Sequence, residues 1–226
     1  MNINKLHRFN LTPANSIKLQ AELAPAIKTA DQPEGRISLI AGVDVSIGRQ
    51  GSTGRAAVAV ISYPTLEIIA ESVHEGPAAM PYIPGLLSFR ELPLILPALE
   101  KLDLEPDLFI VDGHGIAHPR RLGIAAHLGL FIDKPTIGCA KSRLYGKHDE
   151  VGWSRGSSAE LYDGNEIIGR VIRTREGSKP LYISAGHRIS LESAAAWVLK
   201  LTSRFRLPEP LRCAHLSAGR DANLTV

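Results

Sequence analysis

Residues 107–129 read DLFIVDGHGIAHPRRLGIAAHLG, and this stretch decides the fold. It opens on a short apolar run, Leu108-Phe109-Ile110-Val111, which delivers a single carboxylate, Asp112, at its end. Gly113, His114 and Gly115 follow, then His118 and the basic pair Arg120 and Arg121. A buried strand that ends in an acid and opens into a glycine loop builds a site in many α/β proteins. The plainer reading is a turn, because Asp followed by Gly is ordinary turn chemistry. The choice rests on what accompanies it.

Upstream, residues 37–45 (ISLIAGVDV) form a second, nearly all-apolar run, as a central strand requires. Asp44 is the only acid in it. A charge there is costly to bury unless it is paired or metal-bound; otherwise it points to water from a strand end. Residues 48–54 read as a hairpin loop. Residues 56–63 and 66–74 are two further strands around Pro64-Thr65, so strands one to three form an antiparallel meander. Downstream of the decisive stretch, a helix is expected over 121–130 and a fifth strand over 134–140, followed by Lys141-Ser142-Arg143. Strand four, helix and strand five make a βαβ unit with a parallel pair, right-handed by the usual rule.

Between these halves lies Pro81-Tyr82-Ile83-Pro84-Gly85, after a loop beginning at residue 75. Proline fixes its own φ and restricts its predecessor, so Tyr82 sits on a stiff support. A braced aromatic suits wedging between bases or stacking on them; it could equally fold back onto the core. Residues 86–102 are helical in pattern despite Pro93 and Pro97. They carry Glu91, either as a site acid or as an early acid complementing the helix dipole.

At the ends of the chain the signal is thinner. Residues 1–36 read as a mostly helical start opening near Pro13, with Ile17, Leu19, Leu23 and Ile27 on helical spacing and a loop over 31–35. Residues 145–180 look irregular and polar. Residues 166–174 and 180–184 are candidate strands that extend the sheet or form a hairpin over it. Residues 190–201 form a helix in which Ser190 begins a capping box that Ser193, standing where Glu would close it, leaves half made. Leu207-Pro208-Glu209-Pro210 stops one segment, and a terminal helix over 211–220 carries His215.

Composition narrows the class. A 226-residue chain with 44% hydrophobic residues can bury one large core, and only 5% aromatics makes that core aliphatic. Twenty-six Lys and Arg against 23 Asp and Glu leave +3, too little to imply a partner by itself. Arg120, Arg121, Lys141, Arg143 and Lys147 gather around the glycine loops, where they could hold phosphate or form a solvated rim. The 2 cysteines, Cys139 and Cys213, lack metal-type spacing and read as reduced core thiols. No apolar run reaches membrane-spanning length and no signal-peptide core is seen, so a soluble cytoplasmic protein is expected.

Strands one and four can be neighbours if the meander lies on one side and the βαβ unit on the other. Asp44 and Asp112 then face each other, and two such carboxylates stay ionised only with a cation between them. Hard oxygen ligands favour Mg²⁺ or Mn²⁺ over zinc, and a lysine and a braced tyrosine alongside point to phosphodiester chemistry. Three antiparallel strands followed by a parallel pair, flanked by helices, is the ribonuclease H-like α/β layout, with a mixed sheet of five strands or more.

The sequence also resembles the endonuclease V family, the deoxyinosine 3′-endonucleases. The matching stretches are AGVDVS around Asp44, PYIPGLLSFRE from Pro81 to Glu91, VDGHGIAHPRRLGIAAHLG from Val111 to Gly129, TIGCAKSRLYG from Thr136 to Gly146 and LPEPLRCAH from Leu207 to His215. They occur in the family's order across most of the chain; residues 148–162 match little. The resemblance implies a single endonuclease V domain over 1–226: a helical start to residue 36, a catalytic sheet over 37–146 and an extension over 147–226 that completes the site. It implies cleavage of the second phosphodiester bond 3′ to deoxyinosine in DNA, leaving 3′-hydroxyl and 5′-phosphate. Mg²⁺, or Mn²⁺ in its place, would be held by Asp44, Asp112 and Glu91. His215 would lie at the edge of the site and Lys141 at the scissile phosphate. Tyr82, between Pro81 and Ile83, would fill the gap left by the flipped base. Gly113, Gly115 and His118 would shape the base pocket, and Arg120 would contact DNA. A monomer is expected. A catalytically dead relative would lack an acid, and all three are present. Inosine in RNA, or a single strand, is the alternative substrate, and only a 2′-hydroxyl contact would separate the two.

Overall fold

The computed structural model describes residues 1–31, 35–48, 51–78 and 80–219. Parts of the loops expected over 31–35, 48–54 and 75–81, and the last residue of the helix expected over 211–220, lie outside them.

One eight-stranded sheet organises the chain. Its strands are β1 Leu39–Ile47, β2 Thr53–Ser62, β3 Ile68–Pro77, β4 Leu108–Val111, β5 Thr136–Ala140, β6 Ser158–Asp163, β7 Glu166–Ile172 and β8 Leu181–His187. Spatial order is β3-β2-β1-β4-β5-β8-β7-β6. The meander pairs antiparallel, β1 joins β4 in parallel, and β4 joins β5 in parallel. β5, β8, β7 and β6 then pair antiparallel in turn. This is the ribonuclease H-like arrangement, larger than the five-strand minimum.

The central strands are apolar because both faces are covered. Ala41, Val43, Phe109 and Val111 pack towards helices α2 (Leu87–Glu100) and α3 (Ile124–Ile132). The alternate residues Ile40, Leu108 and Ile110 pack with Ile137, Cys139 and Ile183 against α4 (Leu191–Lys200) and α5 (Glu209–Gly219). Period-2 alternation between two apolar layers erases the polar stripe an exposed sheet would show.

Several elements depart from the sequence expectation. The third strand begins at Ile68 rather than residue 66. The helix after the glycine loop begins at Ile124, not 121, because Arg121 turns the chain with φ of 57°. The segment read as irregular contains β6, an edge strand whose exposed residues hid its alternation. The terminal helix starts at Glu209, before the expected residue 211: Pro210 falls in the first turn, where a missing N–H costs nothing. At the N-terminus only Pro13–Leu23 (α1) is α-helical, with a 3₁₀ turn over Ala24–Ala26. Its buried face is Ser16 and Gln20, while Ile17 is 43% exposed. The helix packs on polar loops of the site, so its inward face is polar. Ser190 caps α4 through its hydroxyl, which accepts from the Ser193 N–H at 3.1 Å.

Candidate active site

The C-terminal ends of three parallel strands meet at one edge of the sheet, where open α/β sheets place their ligands. Val43 and Val111 are partners in the β1–β4 ladder, and the Asp112 N–H donates to the Val43 carbonyl at 2.9 Å. The residues that follow, Asp44 and Asp112, are therefore neighbours. Lys141 comes immediately after β5.

His215 arrives from the opposite layer. Gly42 makes that possible: a Cβ there would lie 2.0 Å from the Pro210 carbonyl oxygen and 2.5 Å from the Leu211 nitrogen. The α5 backbone rests directly on β1, and one and a half turns later His215 meets Asp44, its Nδ1 2.5 Å from Asp44 Oδ2. Lys141 Nζ pairs with Asp112 and lies 3.5 Å from His215 Nδ1. One ligand atom from each of Asp44, Asp112 and His215 falls within 4.8 Å of the others.

The electrostatics follow from that crowding. Burial, then the charge of Asp112, pushes the Asp44 carboxyl up to about 6, against the pull of His215 and Lys141. Glu91, on α2, is buried behind the pair. Desolvation first, then Asp44 and Asp112, raises it to about 8. It sits beyond the first turn of α2, so it does not serve the helix dipole. Glu91 stands outside the close three-residue cluster but lines the same cavity. Two acids raised in this way beside the Asp112 carboxylate suit an added divalent cation. The donor set, two carboxylates and an imidazole, can hold a divalent metal ion.

A cavity of about 330 Å³ opens from the acids along the glycine loop. Gly138 lets that loop lie flat on β5: a Cβ there would be 2.3 Å from the Gly115 nitrogen. Gly113 lines the cavity. Gly115 does not; it is tucked under β8, its N–H donating to Ser184 Oγ at 2.8 Å. His118 is buried with both ring nitrogens engaged: Nδ1 accepts from the Arg120 N–H at 3.1 Å and Nε2 donates to the Gly85 carbonyl at 3.0 Å. Burial holds it neutral, down at about 4. It is a wall of the cavity and also the hydrogen-bonded turn histidine of the plainer reading. Tyr82 is 61% exposed at the mouth, not folded onto the core.

The basic cluster divides. Arg121 is taken by Asp163 and Glu166. Arg120 Nε donates to Gln20 Oε1 at 2.7 Å and its Nη2 to the Gly85 carbonyl at 3.0 Å, so it braces the pocket from behind. Lys141 and Arg143 line the cavity; Lys147 bridges to Tyr162 in the sheet.

Two residues of the cavity went unread in the sequence. Gln20 donates to the carbonyls of Gly85 and Leu122 at 3.0 and 2.9 Å. Its sequence signal was the Ser16–Gln20 spacing of one helical turn, masked by the apolar residues between. His114 lines the cavity with its Nε2 buried and lacking a hydrogen-bond partner among the described residues.

A ribonuclease H-like sheet that gathers acids, a lysine and a histidine at the ends of its parallel strands defines a nuclease. Comparison with known proteins sharpens that class. The Endonuclease V family model matches residues 21–216. The chain is 52% identical to Endonuclease V of Dehalococcoides mccartyi over 96% of its own length and 97% of the relative's. It superposes on the crystal structure of the Bacillus subtilis Endonuclease V with a TM-score of 0.91, at 33% identity, covering 96% of this chain and 95% of that one. It superposes on the Ciona intestinalis Endonuclease V, solved with a 24mer DNA containing an inosine followed by a ribo-adenosine, with a TM-score of 0.79 at 27% identity, covering 91% and 95%. The chain belongs to the Endonuclease V family.

Proposed function

We propose that this enzyme is a DNA-repair endonuclease. It recognises deoxyinosine and hydrolyses the second phosphodiester bond on its 3′ side, leaving 3′-hydroxyl and 5′-phosphate, with Mg²⁺ as cofactor and Mn²⁺ able to replace it. The observation that carries the reading is the Asp44–Asp112–His215 cluster, within 4.8 Å, at the end of a cavity with an exposed Tyr82 at its mouth. The inosine-containing DNA held by the Ciona relative supports the substrate.

Asp44 and Asp112 would hold the metal, with Glu91 behind them and His215 at the rim. When bound, Mg²⁺ supplies positive charge to the phosphate oxygens and acidifies a water. The chain's own residues do the rest. Lys141, paired with Asp112, presents its ammonium group to a non-bridging oxygen of the scissile phosphate. Glu91, raised to about 8, can hold or release a proton near neutrality. Tyr82 fills the stack when the base leaves it. Gly113, His118 and the Gly85 backbone enclose the extruded base in a rigid pocket. Among the described residues no helix is long and apolar enough to cross a membrane, and both free cysteines are buried. The reading places the enzyme in the cytoplasm, as a monomer.

The test is a strand-nicking assay on matched duplexes with and without one deoxyinosine, and on the inosine RNA counterpart, in Mg²⁺ and then in chelator. Cleavage confined to the deoxyinosine duplex and lost with chelator supports the reading. Equal nicking of the unmodified duplex, or nicking that survives chelator, overturns it.

A further inference from the structure

The geometry points to a second nucleic-acid contact surface, beside the active site, that takes an unpaired stretch of the DNA strand running away from it. The inference rests on the proposed function for the identity of the strand.

The surface is built around Arg206. Its Nη2 donates to the carbonyls of Lys141 at 3.0 Å and Pro180 at 2.9 Å, and its Nε to the carbonyl of Lys179 at 2.7 Å. One side chain thus ties the backbone of a site lysine to the segment at residues 179–180, which leads into β8. The Arg206 carbonyl in turn accepts from Thr174 Oγ1 at 2.6 Å, next to Arg173.

Two aromatic rings flank this centre, both facing solvent. Trp153 is 74% exposed, and the Arg173 guanidinium lies 4.9 Å from its ring centroid. Arg173 is itself fixed by the carbonyls of Val151, Gly152 and Ser178. Phe205 is 41% exposed and carries Arg212 at 4.6 Å. Arg212 is one turn before His215 on α5 and is paired with Glu209. An exposed tryptophan is expensive to leave in water without a use, and its ring is backed here by a cation locked in place.

The charge around the rings is not held in ion pairs. Arg175, Lys179 and Arg204 are exposed and form no ion pair with any described residue, and the Arg204 guanidinium lies 5.7 Å from the Phe205 ring centroid; Glu176 is the acid next to Arg175 in sequence. Aromatic platforms interleaved with unpaired cations are what a single strand requires: bases stack on the rings while phosphates meet the cations. Continuity with Lys141 through Arg206 places the surface on the path of a strand leaving the cavity. A protein partner would call for a broader apolar centre than two separated rings.

The test uses the full-length protein and fluorescein-labelled duplexes in chelator, each blunt or with a single-stranded overhang on one side of the lesion, and each with deoxyinosine or without. For the parent, an overhang on one side should tighten binding about tenfold, as base stacking on an aromatic side chain would. Trp153→Ala should abolish that gain. Lys179→Glu/Arg204→Glu should lower the slope of log K against log salt by about 1.4, two contacts at roughly 0.7 each for a single strand. Both effects should appear on unmodified DNA, because the surface meets backbone and stacked bases, not the lesion. An overhang that adds nothing in the parent, or a gain that both variants keep, overturns the proposal. Lesion preference is read separately, from the blunt duplexes, so loss of the deoxyinosine reading would show there and not in the overhang ratio.

Discussion

Asp44 and Asp112 lie 68 positions apart in the chain but follow directly on Val43 and Val111, which face each other in the β1–β4 ladder. The parallel register therefore sets the carboxylate pair, and α5 delivers His215 onto it. Burial and the charge of Asp112 push Asp44 up to about 6, so its ionised form destabilises the metal-free fold above its ordinary range. Asp44→Asn should raise the melting temperature of the metal-free protein while cutting Mg²⁺-dependent nicking by at least about a thousandfold. Asp112→Asn should be equally inactive. Thermal unfolding in chelator with single-turnover nicking checks both; an active Asp44→Asn protein would remove the residue from the site.

Tyr82 is exposed at the cavity mouth, in a segment bracketed by Pro81 and Pro84. Tyr82→Ala should leave stability within about 0.5 kcal/mol of the parent, as at most surface positions. Binding to a deoxyinosine duplex should weaken about tenfold, the worth of one stacked ring. Anisotropy titration measures it, and equal affinities would count against a wedge.

Gly42 fits where no side chain can, against the Pro210 carbonyl. Gly42→Ala must lift α5 from β1, at about 1–3 kcal/mol for overpacking. It should also separate His215 from Asp44. Denaturant unfolding should show the loss. Nicking should fall further than stability explains at temperatures where the variant is still folded.

The residues that carry chemistry were legible because each interrupts an apolar run: Asp44 and Asp112 stand out against strands buried on both faces. β6 was not legible. An edge strand with solvent on one side and charged residues along it loses the pattern that marks a strand. The inward face of α1 misled for the opposite reason. Its apolar residues imply an aliphatic stripe, but the helix lies on loop carbonyls, and Gln20 satisfies that surface. Nor does spacing reveal that Arg120 and Arg121 are already engaged, since Gln20 and the Asp163–Glu166 pair come from distant segments.

Gln20 makes the three hydrogen bonds that join α1, Gly85 and Arg120 behind the cavity. Gln20→Leu leaves buried partners unmatched, at about 1–3 kcal/mol. Gly85 follows the Tyr82 segment and also receives His118, so the wall and the wedge loosen together. The expected signature is a reduced ratio of deoxyinosine to unmodified nicking, larger than any change with Mg²⁺ concentration. An unchanged ratio would confine Gln20 to stability.

His127 supplies a pH dependence away from the metal site. It is fully buried, with its Nε2 2.8 Å from His7 Nε2 and its Nδ1 3.0 Å from Ser88 Oγ. Its neighbours Phe89 and Phe131 are 5.2 and 5.4 Å away between ring centroids. Burial first, then the charge of His7, drives it from 6.5 down to about 3, and burial lowers His7 as well. The unfolded chain therefore binds these protons first as pH falls. The stability gained from keeping His127 neutral is whole above about 6.5 and is lost progressively towards about 3. His127→Phe fits the same aromatic nest but removes the hydrogen bonds to Ser88 Oγ and His7 Nε2, so it should be less stable than the parent at pH 7 by about 1–2 kcal/mol. Below pH 6 the parent should lose up to about 1.4 kcal/mol per pH unit more than the variant, the worth of the one proton that differs, so the two curves should converge and cross. The other buried histidines are common to both proteins and cancel in the difference. Urea unfolding in chelator from pH 7.5 to 4.5 reads it, and curves that stay parallel would mean that His127 takes up its proton in the folded protein as easily as in the unfolded one.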